Sequence, residues 1–316
     1  MRLPVPLQRW IRGLPQWSPV GLKPPQQAVT VRMSSTGGEC DINYGVVVAA
    51  LKPLTLAMAV TEQTRPVLAE RSGLHLQFID LASGRTVGLL HLNHQRDWDT
   101  SGITLAEFEV RDGTQRCLRW PYRSWNRWVQ NRVMQKNTKS DNFFMPPEAV
   151  QQLMIFYICP RPVVLVSVDD GSHSNIFPMD LIGPVSADRF TLALRSTSQS
   201  VPTMKSARRV TLADIPASAR STAYKLGVHH KNVAVDWAQL PFSILRSPLF
   251  GLPYPQIALC VREVEILDFD TIGSHTFFVT RIASELVVAE APRFFHTSGI
   301  YQHYRTRNGY PFAAAP

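Results

Sequence analysis

Residues 195–198 read Arg-Ser-Thr-Ser. They follow a stretch in which Phe190, Leu192 and Leu194 alternate with Thr191 and Ala193, the period of a half-buried strand, and they precede a helix predicted from Val201-Pro202 to Arg208. A guanidinium and three hydroxyls beside a helix N-terminus suit a phosphate, because unpaired N–H groups and the helix dipole both favour an anion there. His275 opens another predicted strand. An imidazole, with its ordinary pKa of about 6.5, can move protons near neutral pH. A histidine that starts a strand after a glycine turn is nonetheless more often structural, and the residues alone favour that reading of His275. His229 and His230 are adjacent, so they do not face the same way on a regular element and do not make a metal pair. Cys40, Cys117, Cys159 and Cys260 are widely spaced without a Cys-x-x-Cys pair, and are expected as buried thiols.

These groups need a frame of strands. Arg161 to Val168 is a β-branched, apolar run closed by Asp169-Asp170-Gly171, and Arg209 to Leu212 reads as a further strand. A Ser/Ala-rich helical insertion is expected from about Pro216 to Leu226. Ile257 to Phe269 and His275 to Val288 are predicted as a hairpin turning at Gly273-Ser274. Upstream, Pro146-Pro147-Glu148 is a helix start, and Val150, Leu153, Met154 and Tyr157 form one apolar stripe after it. In the N-terminal half, 46–51, 54–60, 74–80, 86–92, 103–110 and 116–120 are expected to build a small antiparallel sheet with no catalytic motif.

Five pieces in order carry a resemblance: Pro160-Arg161-Pro162-Val163, Asn175-Ile176-Phe177-Pro178, Ser196-Thr197-Ser198, the Gly-x-His-Thr-like Gly273-Ser274-His275-Thr276, and Gly299-Ile300-Tyr301. Over about residues 146–305 the chain resembles the flavin reductase-like family, the FMN-binding split-barrel group. The resemblance implies an antiparallel Greek-key split β-barrel in a mainly β chain with an α+β extension. It implies FMN, with FAD as the alternative, its phosphate held by Arg195, Ser196, Thr197 and Ser198. Asn175, Ile176, Phe177, Pro178, Met179 and Asp180 would line the ring. His230 and Lys231 would sit at the pocket edge, Tyr301 would contact the flavin, and His275 would lie close to it as the catalytic residue. The implied reaction is hydride transfer from NADH or NADPH to bound flavin, in a homodimer with the site near its interface and a partner oxygenase as one acceptor. The alternatives are an electron relay or sensor without turnover, and a flavin-free barrel acting as an interaction module.

With 316 residues, 45% of them hydrophobic, the chain can bury more than one core, and the net charge of +9 favours acidic partners without choosing among them. Between Gln115 and Ser140 seven basic residues and no acidic one interleave with Trp120, Tyr122, Trp125 and Trp128. Such a run can hold nucleic acid. With no recognised nucleic-acid module present, the expected reading is a basic helical linker that buries its aromatics while its cations reach water, with a cofactor or dimer contact as the alternative ahead of nucleic acid. The expected organisation is a Pro-rich arm over 1–38, a smaller β-rich domain over 39–140, the split barrel over 141–308 and a loose tail over 309–316. No apolar stretch has the length of a signal peptide or a membrane helix, so a cytoplasmic protein is expected.

Overall fold

The computed structural model describes residues 13–23, 27–136 and 145–316. The chain is mainly β and its sheets are antiparallel, as expected. Two seven-stranded sheets dominate it. The C-terminal sheet runs Ser174–Met179, Val164–Asp169, Arg209–Asp214, Cys260–Ile272, His275–Val287, Arg189–Arg195, Ile182–Pro184 in spatial order. The N-terminal sheet runs Gly38–Asp41, Val29–Ser35, His75–Asp80, Arg85–Thr100, Ile103–Gln115, Leu54–Ala59, Val46–Leu51. Written by order of appearance in the chain, the two sequences of strands are the same.

That equivalence corrects the expectation of a small N-terminal sheet. The strands predicted at 86–92 and 103–110 extend to Arg85–Thr100 and Ile103–Gln115, because polar residues such as Arg96 and Asp97 continue the ladder beyond the buried stretch. Arg116 to Trp120 is not a strand; Cys117 and Leu118 tuck inward at the start of a turn. The helix Tyr122–Lys136 follows, and it buries Asn126 and Val129. The aromatics of the run are not all buried as expected: Tyr122 and Trp125 are half-buried, whereas Trp120, just before the helix, is 76% and Trp128 46% exposed, the latter beneath Arg132 at 4.3 Å. The part of the basic run beyond Lys136, including Lys139, lies outside the described residues, as does most of the expected boundary at 140–145.

The helix Pro147–Phe156 belongs to the core of the N-terminal sheet, where Leu153, Met154, Ile155 and Phe156 join Phe78, Leu90 and Phe108. It lies so close that a Cβ on Gly88 would stand 2.8 Å from Ile155 Cγ2. The tail is not loose, and the described part of the arm is paired with it. Trp17–Leu22 pairs with Arg293–Ser298, and Ala313–Ala314 adds to the other edge of Trp17–Leu22. Val20, Leu22, Phe312 and Ala315 are at most 4% exposed, so burial of apolar side chains outweighs the proline content that argued for an open arm.

Candidate functional site

The strand Arg189–Arg195 ends in exposed Arg195, Ser196 and Thr197, and the helix Ser200–Ala207 begins three residues later. Opposite it in the ladder, Arg195 faces His275. Ser196 is tied to the hairpin turn through its N–H to Ser274 O (3.1 Å) and by the Thr276 hydroxyl donating to Ser196 Oγ (3.3 Å). The turn Gly227–Lys231 closes the other side. His230 O accepts from Ser198 Oγ and Gln199 N, both at 3.2 Å, and its ring lies 4.8 Å from Phe177. Arg195, Ser196, Thr197, His230, Lys231 and His275 are therefore brought together from three separate stretches.

Electrostatics sets the charge of this cluster. Burial, with help from Arg195, holds the His230 imidazole below its ordinary pKa, and its Nδ1 is buried without a hydrogen-bond partner. His275 is 1% exposed, and burial followed by the charge of Arg195 pushes its pKa down to about 4. It is neutral at pH 7. Its Nδ1 lies 2.9 Å from Ser274 Oγ and accepts a long bond, 3.5 Å, from Leu51 N–H of the N-terminal sheet. In this geometry the ring accepts from Leu51 N–H and packs among buried side chains.

Several expected flavin contacts are committed elsewhere. Asn175 is fully buried; its Nδ2 donates to Ser200 Oγ and to the carbonyls of His229 and Asn232 at 2.9–3.0 Å, and its Oδ1 accepts from Ile176 N. Ile176, Phe177 and Met179 are core side chains, leaving Pro178 and backbone at the surface of this strand. Ser198 is 7% exposed and spends its hydroxyl on His230 O. Tyr301 lies outside the cluster. It is fully buried in the N-terminal core, where its hydroxyl donates to Asp80 Oδ1 at 2.6 Å, a reach no local pattern around Gly299-Ile300 indicates.

Asp180 accepts from His296 Nδ1 (2.8 Å), and His296 Nε2 meets the Tyr224 hydroxyl at 3.0 Å, an Asp-His-Tyr chain that sequence spacing could not show. Burial would raise the Asp180 pKa, but hydrogen bonds from His296 and Tyr157 outweigh it and hold the carboxyl ionised. Burial raises the Tyr224 phenol, so it remains protonated at neutral pH. A cavity of about 320 Å³ lies elsewhere, between the helices Tyr122–Lys136 and Pro147–Phe156. Among the described residues no cluster of His, Cys, Asp and Glu could hold a metal ion, and no helix is long and apolar enough to cross a membrane.

Neither a protein-family model nor a curated protein matches the chain. Among solved structures it is similar to an FMN-binding protein from Thermus thermophilus, at 25% identity and TM-score 0.37, over 40% of this chain and 71% of that one. It is similar as well to the NADH:FAD oxidoreductase of Streptomyces globisporus C-1027, at 17% identity and TM-score 0.42, over 50% of this chain and 94% of the other. A third is the styrene monooxygenase flavin reductase from Pseudomonas putida S12, at 14% identity and TM-score 0.39, over 47% and 93%. The structural likenesses are thus to flavin reductases and FMN-binding proteins of split-barrel type.

The residues present fit the anionic end of a flavin nucleotide. Arg195 and the Ser196 and Thr197 hydroxyls are exposed at a helix N-terminus, beside the unpartnered His230 Nδ1. The ring end fits less closely than the resemblance implied, since Asn175, Ile176, Phe177 and Met179 have no side-chain surface to give it.

Proposed function

We propose that the chain is a flavin-dependent oxidoreductase of flavin reductase type, taking FMN and a nicotinamide donor, NADH or NADPH. The observation that carries this reading is the Arg195-Ser196-Thr197 edge at the start of the helix Ser200–Ala207, closed by His230 and joined to His275 through the strand ladder. A bound flavin would supply hydride chemistry, while the protein orients it and limits competing reactions. Arg195 would hold the phosphate by charge-assisted hydrogen bonds, with Ser196 and Thr197 as further donors. His230, short of full protonation at pH 7, offers its Nδ1 as a neutral partner. His275 keeps the Leu51 backbone and Ser274 in place and neither takes nor gives a proton at neutral pH. Reduced flavin would pass electrons to a partner oxygenase or another acceptor. The four cysteines, all buried free thiols, suit a reducing compartment, and the reading places the protein in the cytoplasm.

The test is an absorbance spectrum with FMN followed by anaerobic NADH and then NADPH. Bleaching of the visible flavin band supports the reductase and names the donor. A bound flavin that neither donor reduces would leave an electron relay. No binding of FMN would sink both.

Arg195→Ala is expected to weaken FMN binding roughly 10- to 100-fold, the loss of one charge-assisted contact. Ser196→Ala should weaken it by a smaller factor. Ser198→Ala is expected to leave affinity unchanged, because that hydroxyl already serves His230 O. Fluorescence titration measures all three, and equal affinity of Arg195→Ala and the parent protein would remove this edge from the site.

A further inference from the structure

The two seven-stranded sheets share more than strand order. Residues 54–66, Leu-Thr-Leu-Ala-Met-Ala-Val-Thr-Glu-Gln-Thr-Arg-Pro, and 190–202, Phe-Thr-Leu-Ala-Leu-Arg-Ser-Thr-Ser-Gln-Ser-Val-Pro, agree at six of thirteen positions without a gap. In both copies this stretch is a strand followed by a helix, Arg65–Ala69 in one and Ser200–Ala207 in the other. In both, the next strand ends in a buried aspartate held by arginine, Asp80 by Arg305 and Asp214 by Arg293 and Arg262. In both, that aspartate pairs in register with the first residue of the opening strand, Val29 and Val164.

The copies also meet through equivalent surfaces. A twofold interface is self-complementary: each contact recurs with the partners exchanged, and residues on the axis meet their own counterparts. In the same register that aligns 54 with 190, Val47 corresponds to Gly183, and the two touch: a Cβ on Gly183 would stand 2.7 Å from Val47 Cγ1. The strand Val46–Leu51 packs on its counterpart Ile182–Pro184. The loop at Lys52, before the second copied strand, accepts from Ser274 N of the long hairpin turn at 3.0 Å. The corresponding loop at Asp188-Arg189 reaches the other long hairpin turn, with Arg189 Nη2 donating to Ser101 O at 3.4 Å. Between them lies one apolar cluster with members from both copies, among them Ala57 and its counterpart Ala193.

The copies differ where the chemistry is. Arg195 lies opposite His275 in the C-terminal ladder, whereas its counterpart Ala59 lies opposite Leu105 in the N-terminal one. Ser196 corresponds to Val60, and Ser198 to Glu62, whose carboxylate would repel a phosphate.

We infer that the chain is a fused pair of barrels, in which the N-terminal copy serves as a built-in second subunit that covers His275 and carries no anion site of its own. One polypeptide is then a complete unit with one site. The site count rests on the flavin reading above; the pairing of the barrels does not.

Light scattering on the eluting full chain is expected to give a particle of one chain, 35.5 kDa. Equilibrium titration with FMN is expected to saturate at one flavin per chain. A stable two-chain particle would overturn the self-sufficient unit, and saturation at two per chain would overturn the loss of the N-terminal site. If no FMN binds, the flavin reading fails by itself, and the particle mass still decides the pairing: one chain supports it and two chains reject it.

Discussion

Asp80→Ala is expected to cost about 3–5 kcal/mol of unfolding free energy, the largest effect of any single substitution argued from this structure. Asp80 is fully buried, and both its oxygens are used: Oδ1 accepts from the Tyr301 hydroxyl (2.6 Å) and Arg305 Nη1 (2.9 Å), and Oδ2 from Ser83 N and Oγ (2.9 and 2.6 Å). Removing the carboxylate leaves the Arg305 guanidinium, 8% exposed and packed 4.3 Å over Phe312, without its counter-charge. A buried charge left alone costs more than the pair itself contributed. Chemical denaturation of the parent and variant chains measures the difference; a loss under 1 kcal/mol would show that water or another acceptor replaces Asp80. Tyr301→Phe makes the sharper functional comparison. It should lower stability by roughly 1.5–3 kcal/mol, as a hydrogen bond to a charged group is lost, and leave FMN affinity unchanged. A drop in FMN affinity would instead return Tyr301 to the flavin site.

The period-2 pattern of Phe190 to Leu194, the glycine turn at 273–274 and the apolar stripe after Pro147 were legible because each is a local pattern that one face of one element satisfies. The phosphate-suited edge at Arg195 was legible for the same reason: strand end, hydroxyls and helix start are contiguous. Contacts that close over long separations were not. Trp17–Leu22 finds its partner at Arg293–Ser298, and Tyr301 finds Asp80, through pairings that no neighbouring residue announces. Proline-rich composition indicates an extended segment there but not its partners, and burial of Val20 and Leu22 holds the strand between Arg293–Ser298 and Ala313–Ala314. Asn175 shows the limit of transferring a role by motif. The residue is where the motif puts it, but every hydrogen-bonding group of its amide is engaged inside the protein. The duplication was present in the sequence throughout, in Thr-Leu-Ala at 55–57 and 191–193 and in the Thr-x-Gln-x-x-Pro that follows each. It emerges only when the chain is compared with itself, since the two copies differ at the polar positions that draw attention to the second.

Between pH 6.5 and pH 4 the chain is expected to lose stability in which His275 alone accounts for on the order of 3 kcal/mol. The sign follows from where the proton is favoured. Burial and the neighbouring Arg195 push the folded-state pKa of His275 down to about 4, whereas the unfolded chain titrates near the ordinary value of about 6.5. Across that window the unfolded state binds more protons than the folded one, so unfolding becomes easier as pH falls, and the contribution is fully present only above the unfolded pKa. His230, also held below its ordinary pKa by burial, adds in the same direction. His275→Asn keeps a polar acceptor beside Ser274 and Leu51 but removes the titration, so its stability should fall less steeply with acid, by about one proton's worth of slope. Urea unfolding at pH 7, 5.5 and 4.5 compares the two chains, and parallel slopes would mean that His275 titrates normally. The same shift bears on catalysis. A ring that stays neutral from pH 5 to pH 8 cannot give the flavin-reduction rate an inflection near 6.5, so the rate should pass through that region without a His275-dependent step. An inflection there that disappears in His275→Asn would restore the imidazole as a proton carrier and would require the turn at Leu51 to lift away from it during turnover.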